Sequence, residues 1–160
     1  MVVYSFIQDC QIFITHIIFD MDNTLIDEFG STVRPGITNF LKTLKKKNIH
    51  LYLWTNSTKL RAKEILLLHN LHHYFEKFIY REDYDPLNKG MYKDIRKIGG
   101  QLLIDDDPAE IQFVTKLGCK GFLIKPYRKN SKAPIADYQA EYDAITRIIH
   151  NTKKISSLCL

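Results

Sequence analysis

Short runs of β-branched and aromatic residues alternate along this chain with segments whose apolar positions recur every three or four residues. The run from Ile12 to Phe19 predicts a buried strand. Pro35 then opens a helix as a first-turn proline, with Ile37, Phe40, Leu41 and Leu44 on one face. His50 to Trp54 reads as a second strand, and Ser57 or Thr58 caps a helix running to about His69. Lys77 to Tyr80 is a short third strand. Gly90 to Ile98 reads as helical, stopped by Gly99 and Gly100. Gln101 to Ile104 is a fourth strand, and Pro108 starts a helix that Gly118 ends. Gly121 to Ile124 is a fifth strand. Pro134 opens a last helix with Ile135, Tyr138, Tyr142, Ile145 and Ile149 on one face.

Alternating strands and helices imply right-handed crossovers and a mainly parallel sheet covered on both sides. The expected class is therefore α/β, a Rossmann-like three-layer sandwich on a five-stranded sheet. We expect a single domain over residues 1–150, with 151–160 as a C-terminal tail.

Ligands of such a sheet sit at the carboxyl ends of the strands. Here the first strand ends in Asp20 and Asp22, the second in Thr55, Asn56 and Ser57, and the fourth in Asp105, Asp106 and Asp107. Five carboxylates at one rim repel one another unless a cation sits among them. Hard oxygen donors favour magnesium. A carboxylate beside such an ion can attack phosphorus, a second acid two residues on can protonate the leaving oxygen, and a Lys and a Thr hydroxyl can hold phosphate oxygens. One Asp at one strand end is ordinarily a turn former or helix cap. Three strand ends delivering acids and hydroxyls together are not explained that way.

Composition narrows the setting. The 160 residues are 45% hydrophobic and 26% charged, which excludes wholesale disorder. Cys10, Cys119 and Cys159 are too few and too scattered for a disulfide framework or a cysteine zinc site, which favours a reducing compartment. The apolar stretch from Val2 to Phe19 is broken by Gln8, Asp9, Gln11 and His16, and no Lys or Arg precedes Arg34. Neither a spanning helix nor a signal peptide is expected, so the expectation is no membrane and an intracellular, cytoplasmic or nuclear location. Arg34 to Lys97 holds 14 basic and 6 acidic residues. A basic middle attracts anions; equally, a run such as Lys45-Lys46-Lys47 complements the carbonyl end of a helix.

Weaker signals are set beside these. His69, His72 and His73 lack the carboxylate company of a metal site and read as a surface helix end. Tyr52 and Trp54 read as packing. The Tyr127-Arg128-Lys129-Asn130 segment reads as a basic loop, and Glu110 is either a first-turn helix acid or the orienter of a metal-bound water.

Ile17-Ile18-Phe19-Asp20-Met21-Asp22-Asn23-Thr24-Leu25 resembles the first motif of the haloacid dehalogenase superfamily, a hydrophobic strand followed by Asp-x-Asp-x-Thr. Leu51 to Ser57 resembles its second motif and Leu102 to Asp106 its fourth. Tyr92-Lys93-Asp94-Ile95, Asp105-Asp106-Asp107-Pro108, Val33-Arg34-Pro35-Gly36 and Tyr80-Arg81-Glu82 resemble the RNA polymerase II C-terminal-domain phosphatases and the NLI-interacting-factor-like group. Asp107 stands where that group has Ser, and Lys116 to Gly121 is closer to other phosphatases of the superfamily, including small magnesium-dependent protein-tyrosine phosphatases.

The resemblance implies a magnesium-dependent phosphatase acting on a phosphate monoester through an aspartyl-phosphate. It implies Asp20 as nucleophile and Asp22 as acid and then base. Thr55, Asn56 and Lys93 would hold the phosphate; Lys89 is the competing lysine. Mg2+ would be bound by Asp20, the backbone carbonyl of Asp22, and Asp105 or Asp106. No room exists for a cap domain between Asp22 and Pro35 or between Thr55 and Lys93. An open site admits a phosphorylated macromolecule, a phosphoprotein first and a nucleic acid end second. The alternatives are a polynucleotide-end phosphatase and a catalytically silent binding module on the same fold.

Overall fold

The computed structural model describes residues 13–150. Strands β1 (His16–Phe19), β2 (His50–Trp54), β3 (Lys77–Ile79), β4 (Leu102–Asp105) and β5 (Lys120–Leu123) form one sheet in the order β3-β2-β1-β4-β5. Every pairing is parallel. The chain runs outward from β1 through β2 to β3, then returns across the sheet to β4 and β5. The order therefore reverses between β1 and β4, and the crevice at their carboxyl ends is the topological switch point.

β1 carries apolar residues on both faces, as a strand covered on both sides must. Ile17 and Phe19 pack into the larger core with α1 (Ile37–Lys46), α2 (Lys59–Leu68) and α5 (Ile135–His150). Ile18 points into a smaller core on the other face, with Tyr52, Trp54, Ile95, Leu103 and Val114. That face is covered by α4 (Pro108–Lys116) and a 3-10 turn at Ile95–Ile98. The three-layer α/β reading holds, with all five strands parallel. Tyr52 and Trp54 are buried core residues, and Ile37, Phe40, Leu41 and Leu44 all face inward as read.

Several local expectations are corrected. Pro35 lies before the helix, whose N-cap is Gly36 in a left-handed conformation at φ 76°. Glycine is required there twice over, since a Cβ would also stand 3.1 Å from the Tyr142 ring. Gly90 to Lys93 is not helical; only Ile95–Ile98 turns, as 3-10. The buried Asp85 carboxylate takes the backbone N–H groups of Lys89, Gly90 and Met91, so the segment is wound around a side chain instead of its own carbonyls. Ile135 is exposed, while Tyr138, Tyr142, Ile145 and Ile149 are buried. Neither Ser57 nor Thr58 caps α2 with its side chain. The Glu82 carboxylate, on the short helix α3 (Arg81–Tyr84), accepts the Lys59 N–H at 3.0 Å instead. Ile12, Cys10 and the 151–160 tail lie outside the described residues.

α5 is tied down by Arg34, whose fully buried guanidinium donates to the Lys125 carbonyl at 2.8 Å and pairs with Glu141. Tyr142 adds a hydrogen bond to the Pro35 carbonyl at 2.7 Å and stacks on Phe40. No helix among the described residues is long and apolar enough to cross a membrane.

Candidate active site

The carboxyl ends of β1, β2 and β4 each deliver polar side chains to one cleft of about 440 Å³. Asp20 follows β1, and its N–H still bonds the Ile104 carbonyl at 3.0 Å, so its backbone is held in register with the sheet. Asp105 is the last residue of β4. Both are buried. The Lys93 ammonium lies between them, 2.7 Å from Asp20 Oδ1 and 2.6 Å from Asp105 Oδ2. Lys93 is itself 3% exposed, so this triad is dry on most sides.

The charges do not cancel. Asp20, Asp105 and the half-buried Asp106 present carboxylate oxygens within 4.8 Å of one another, three acids against one ammonium. Burial, with the repulsion of Asp105 and Asp106, pushes the Asp20 carboxyl well above its ordinary range despite the Lys93 ammonium. Burial and then Asp105 push Asp106 up as well. Burial pulls Lys93 down, but Asp20 and Asp105 outweigh it and hold the ammonium protonated. Hard oxygen donors in excess of the local positive charge are the donor set that suits a small divalent cation. No histidine joins a comparable cluster among the described residues; His69 hydrogen-bonds the Gly30 carbonyl at 2.8 Å, and His72 and His73 sit in a 3-10 turn.

Lys93 is placed from both sides. The Asp85-wound loop delivers it, and the Glu110 carboxylate on α4 accepts its backbone N–H at 2.9 Å. Glu110 thus holds the lysine segment, and it also lines the cleft. Lys89 is exposed on that loop, outside the cleft. Asp107 caps α4, accepting the Ala109 N–H at 2.8 Å, and its own N–H bonds Asp105 Oδ1 at 2.9 Å. The Asp105 carboxylate is thereby fixed at both oxygens.

Thr55 follows β2 and is buried. Its hydroxyl oxygen accepts the Ser57 N–H at 3.0 Å, which leaves the hydroxyl proton to donate elsewhere. Asn56 is exposed at the rim. Asp22 stands in the turn after β1, where the Met21 carbonyl receives the Leu25 N–H at 2.8 Å. All the residues expected at the site therefore share this cleft: Asp20, Asp22, Thr55, Asn56, Lys93, and Asp105 with Asp106.

Asp22 has an unforeseen partner. Arg61 holds it with two hydrogen bonds, 2.6 Å to Oδ1 and 2.9 Å to Oδ2, and also donates to Ser57 Oγ at 2.7 Å. A signal for Arg61 existed in the sequence. A cation in the first turn of a helix opposes the helix dipole, a signal that Arg61 shares with Lys59. Asp85 and Glu110 were missed as supports because their hydrogen-bond partners are backbone groups, invisible to residue type.

No domain is inserted over the cleft by the described residues. Between Asp22 and α1 there are only isolated bridges, Asp22 with Ile26 and Ile26 with Val33. Between Thr55 and Lys93 the chain forms α2, a 3-10 turn, β3 and α3.

The fold is shared with known hydrolases. A hydrolase from Streptococcus pneumoniae TIGR4 superposes with a TM-score of 0.60 at 12% identity, covering 82% of this chain and all (100%) of the other. A HAD-superfamily hydrolase from Ehrlichia chaffeensis gives 0.57 at 18% identity, covering 84% of this chain and 98% of that one. The fission yeast RNA polymerase II CTD phosphatase Fcp1, in a beryllium fluoride complex, gives 0.53 at 14% identity over 84% of this chain and 51% of its own. No curated protein matches the sequence. The family model of the NLI interacting factor-like phosphatases matches residues 15–139, the span from the strand before Asp20 into the last helix. The fold is that of these hydrolases, and the chain belongs to the NLI interacting factor-like phosphatase family.

Proposed function

We propose that the protein is a magnesium-dependent phosphatase that removes phosphate from a phosphorylated protein through an aspartyl-phosphate. The observation that supports this most is the buried Lys93 ammonium bridging Asp20 and Asp105 at the switch-point cleft. Asp20 is the nucleophile. Lys93 engages its Oδ1, and Oδ2 takes no hydrogen bond from the described residues, so one oxygen is held and the other is left to attack. Attack forms the Asp20 O–P bond and breaks the bond from phosphorus to the leaving oxygen, which takes a proton from Asp22. Asp22 then removes a proton from water as the water attacks phosphorus, and the Asp20 O–P bond breaks.

Thr55, Asn56 and Lys93 bind the phosphate oxygens; the Thr55 hydroxyl and the Lys93 ammonium are preset for this because neither has to leave a solvent shell. Asp20, Asp105 or Asp106, and the backbone carbonyl of Asp22 would hold Mg2+. A bound magnesium ion screens the crowded carboxylates from the negative charge of the phosphate.

The protein substrate is inferred from the lack of a folded cover over the cleft. A small phosphate metabolite binds best where most of its surface is buried, and this cleft encloses only the end of a ligand. A CTD phosphatase, Fcp1, has the same fold.

The test is a panel of phosphoserine, phosphothreonine and phosphotyrosine peptides, 3′- and 5′-phosphorylated oligonucleotides and sugar phosphates, each with magnesium or with EDTA. A peptide class is expected to lead in kcat/KM, with activity lost in EDTA. An oligonucleotide lead replaces the phosphoprotein reading with the polynucleotide-end reading. A sugar phosphate winning tenfold, about 1.4 kcal/mol of transition-state binding, overturns the open-site argument.

A further inference from the structure

A second cavity of about 520 Å³ opens beside the phosphate cleft. The two share Asp22, Asn23 and Asn56 as a common wall, so a ligand whose phosphate sits against Lys93 and Thr55 extends naturally into the second space. That space is lined by Arg61 and Arg81, with the hydroxyls of Ser57 and Thr58. Arg61 lies near the start of α2, and Arg81 opens the four-residue helix α3.

The two cations differ in their partners. Arg81 forms no ion pair among the described residues. Arg61 is paired with Asp22, but both side chains are about a third exposed, 38% and 28%. The pair is bidentate, so an incoming anion meets the free Arg81 first and competes with Asp22 for Arg61 only through the pair's exposed side. The acids in the cavity wall are Asp22 and Glu28. Glu28 accepts the neutral backbone N–H of Lys129 at 3.0 Å and keeps its charge, so Arg81 is the cation of the cavity wall with no ion-pair partner among the described residues.

We propose that this cavity is a subsite for a second anionic group on the substrate, a carboxylate or a phosphate carried within one or two residues of the phosphorylated side chain, received by Arg81 and Arg61. The inference rests on the phosphoprotein reading above and names the kind of segment that site selects. Planar guanidinium forks on one cavity wall match the paired oxygens of a carboxylate or phosphate better than any neutral side chain. A segment that draws Arg61 toward its own anion also takes it away from Asp22, so the same contact that selects the substrate uncovers a carboxylate at the cleft.

The test uses the full chain with magnesium and a peptide set built on one phosphorylated residue. The flanking positions carry alanine, glutamate, a second phosphorylated residue, or lysine. The readout is the kcat/KM ratio of each flanked peptide to the alanine peptide, which cancels any general loss in a variant. Glutamate or phosphate flanks are expected to raise the ratio about tenfold through KM, the size of one charge-assisted hydrogen-bonded pair. The gain is expected to shrink in 0.5 M salt, because the site is partly exposed. Arg81→Gln is expected to bring the ratio toward one, and Arg81→Glu to favour the lysine-flanked peptide. The glutamate and phosphate arms separate the two sources of the anion. Equal kcat/KM for alanine and acidic flanks in the wild-type protein overturns the subsite, as does a tenfold gain that survives Arg81→Gln with Arg61→Gln. Hydrolysis of no peptide at all, with another class of ester turned over, overturns the phosphoprotein reading and this inference with it.

Discussion

Two aspartates seven residues apart show how differently one fold can treat the same side chain. Asp27, in the turn after β1, is fully buried and accepts the N–H groups of Phe29, Ser31 and Thr32 and the hydroxyls of Ser31 and Thr32. Burial pushes its carboxyl up, but those donors outweigh it and hold the group well below the ordinary range. Asp20 is as deeply placed, yet its neighbours are two more carboxylates and one shared ammonium, and its carboxyl is pushed well up. A carboxylate with all its acceptor capacity filled is a structural staple. A carboxylate crowded by its own kind is unstable as it stands and is relieved by a cation or by a reaction. The contrast separates the chemical acid from the architectural one without reference to sequence motifs.

The largest effect that can break this comparison is on turnover. Asp20→Asn is expected to reduce kcat by at least about 10⁴-fold, since no phosphoenzyme can form. Asp27→Asn is expected to leave kcat per folded molecule within about threefold, because a side chain that only holds a turn enters no step of the reaction. Circular dichroism to count folded molecules, followed by steady-state kinetics on an aryl phosphate, measures both. Comparable losses in the two variants would erase the distinction drawn between them.

Next in size is the removal of the shared ammonium. Lys93→Met leaves Asp20 and Asp105 buried without a counter-charge, at an expected cost of about 3 to 5 kcal/mol in EDTA. Denaturant unfolding of the variant should show part of that cost recovered by millimolar magnesium. A variant as stable as wild type in EDTA would mean that the acids are relieved some other way.

Asp27→Ala is expected to cost about 2 kcal/mol, because several backbone donors lose their acceptor while water can reach some of them. The same unfolding experiment reads it, and magnesium should make no difference to the loss.

The smallest effect is the pH dependence of the metal response. Asp20 and Asp106 have raised folded values, so in EDTA their contribution to stability is fully present below the ordinary carboxylate range, about pH 4, and is lost as pH rises through the raised values. Asp27 runs the other way: its contribution is present above the ordinary range and is lost as pH falls toward its depressed value. Magnesium needs the ionised acids. The gain in Tm on adding it should therefore grow as pH rises above the ordinary carboxylate range, reaching about 5 °C at saturating metal. A gain that is flat in pH would place the ion away from Asp20 and Asp106.

Much of this was legible in the residues. The β-branched runs, the helical periodicities of α1 and α5, and the polar strand ends required only nearest-neighbour chemistry to read. That chemistry was enough to place Asp20, Asp22, Thr55 and Asp105 at one rim, because a parallel sheet brings the carboxyl ends of its strands together whatever the loops do. Lys93 could be preferred over Lys89 only by resemblance, since both occupy the same stretch between strands. The structure separates them by winding residues 85–91 around the Asp85 carboxylate, and hydrogen bonds donated by backbone N–H groups to a side chain leave no periodic trace. The same reason hid the Glu110 support and made Gly90 to Lys93 look helical.

What the sequence determined by itself, then, is the alternation of elements and the list of acids, hydroxyls and cations available at the strand ends, because local periodicity and strand polarity carry that information. How those groups are charged and paired follows from the folded arrangement: Lys93 between Asp20 and Asp105, Arg61 on Asp22, Asp27 filled by its own turn. Pairing depends on burial and on distances between residues remote in sequence, and an aspartate has the same letter whether its neighbours are amides or other carboxylates.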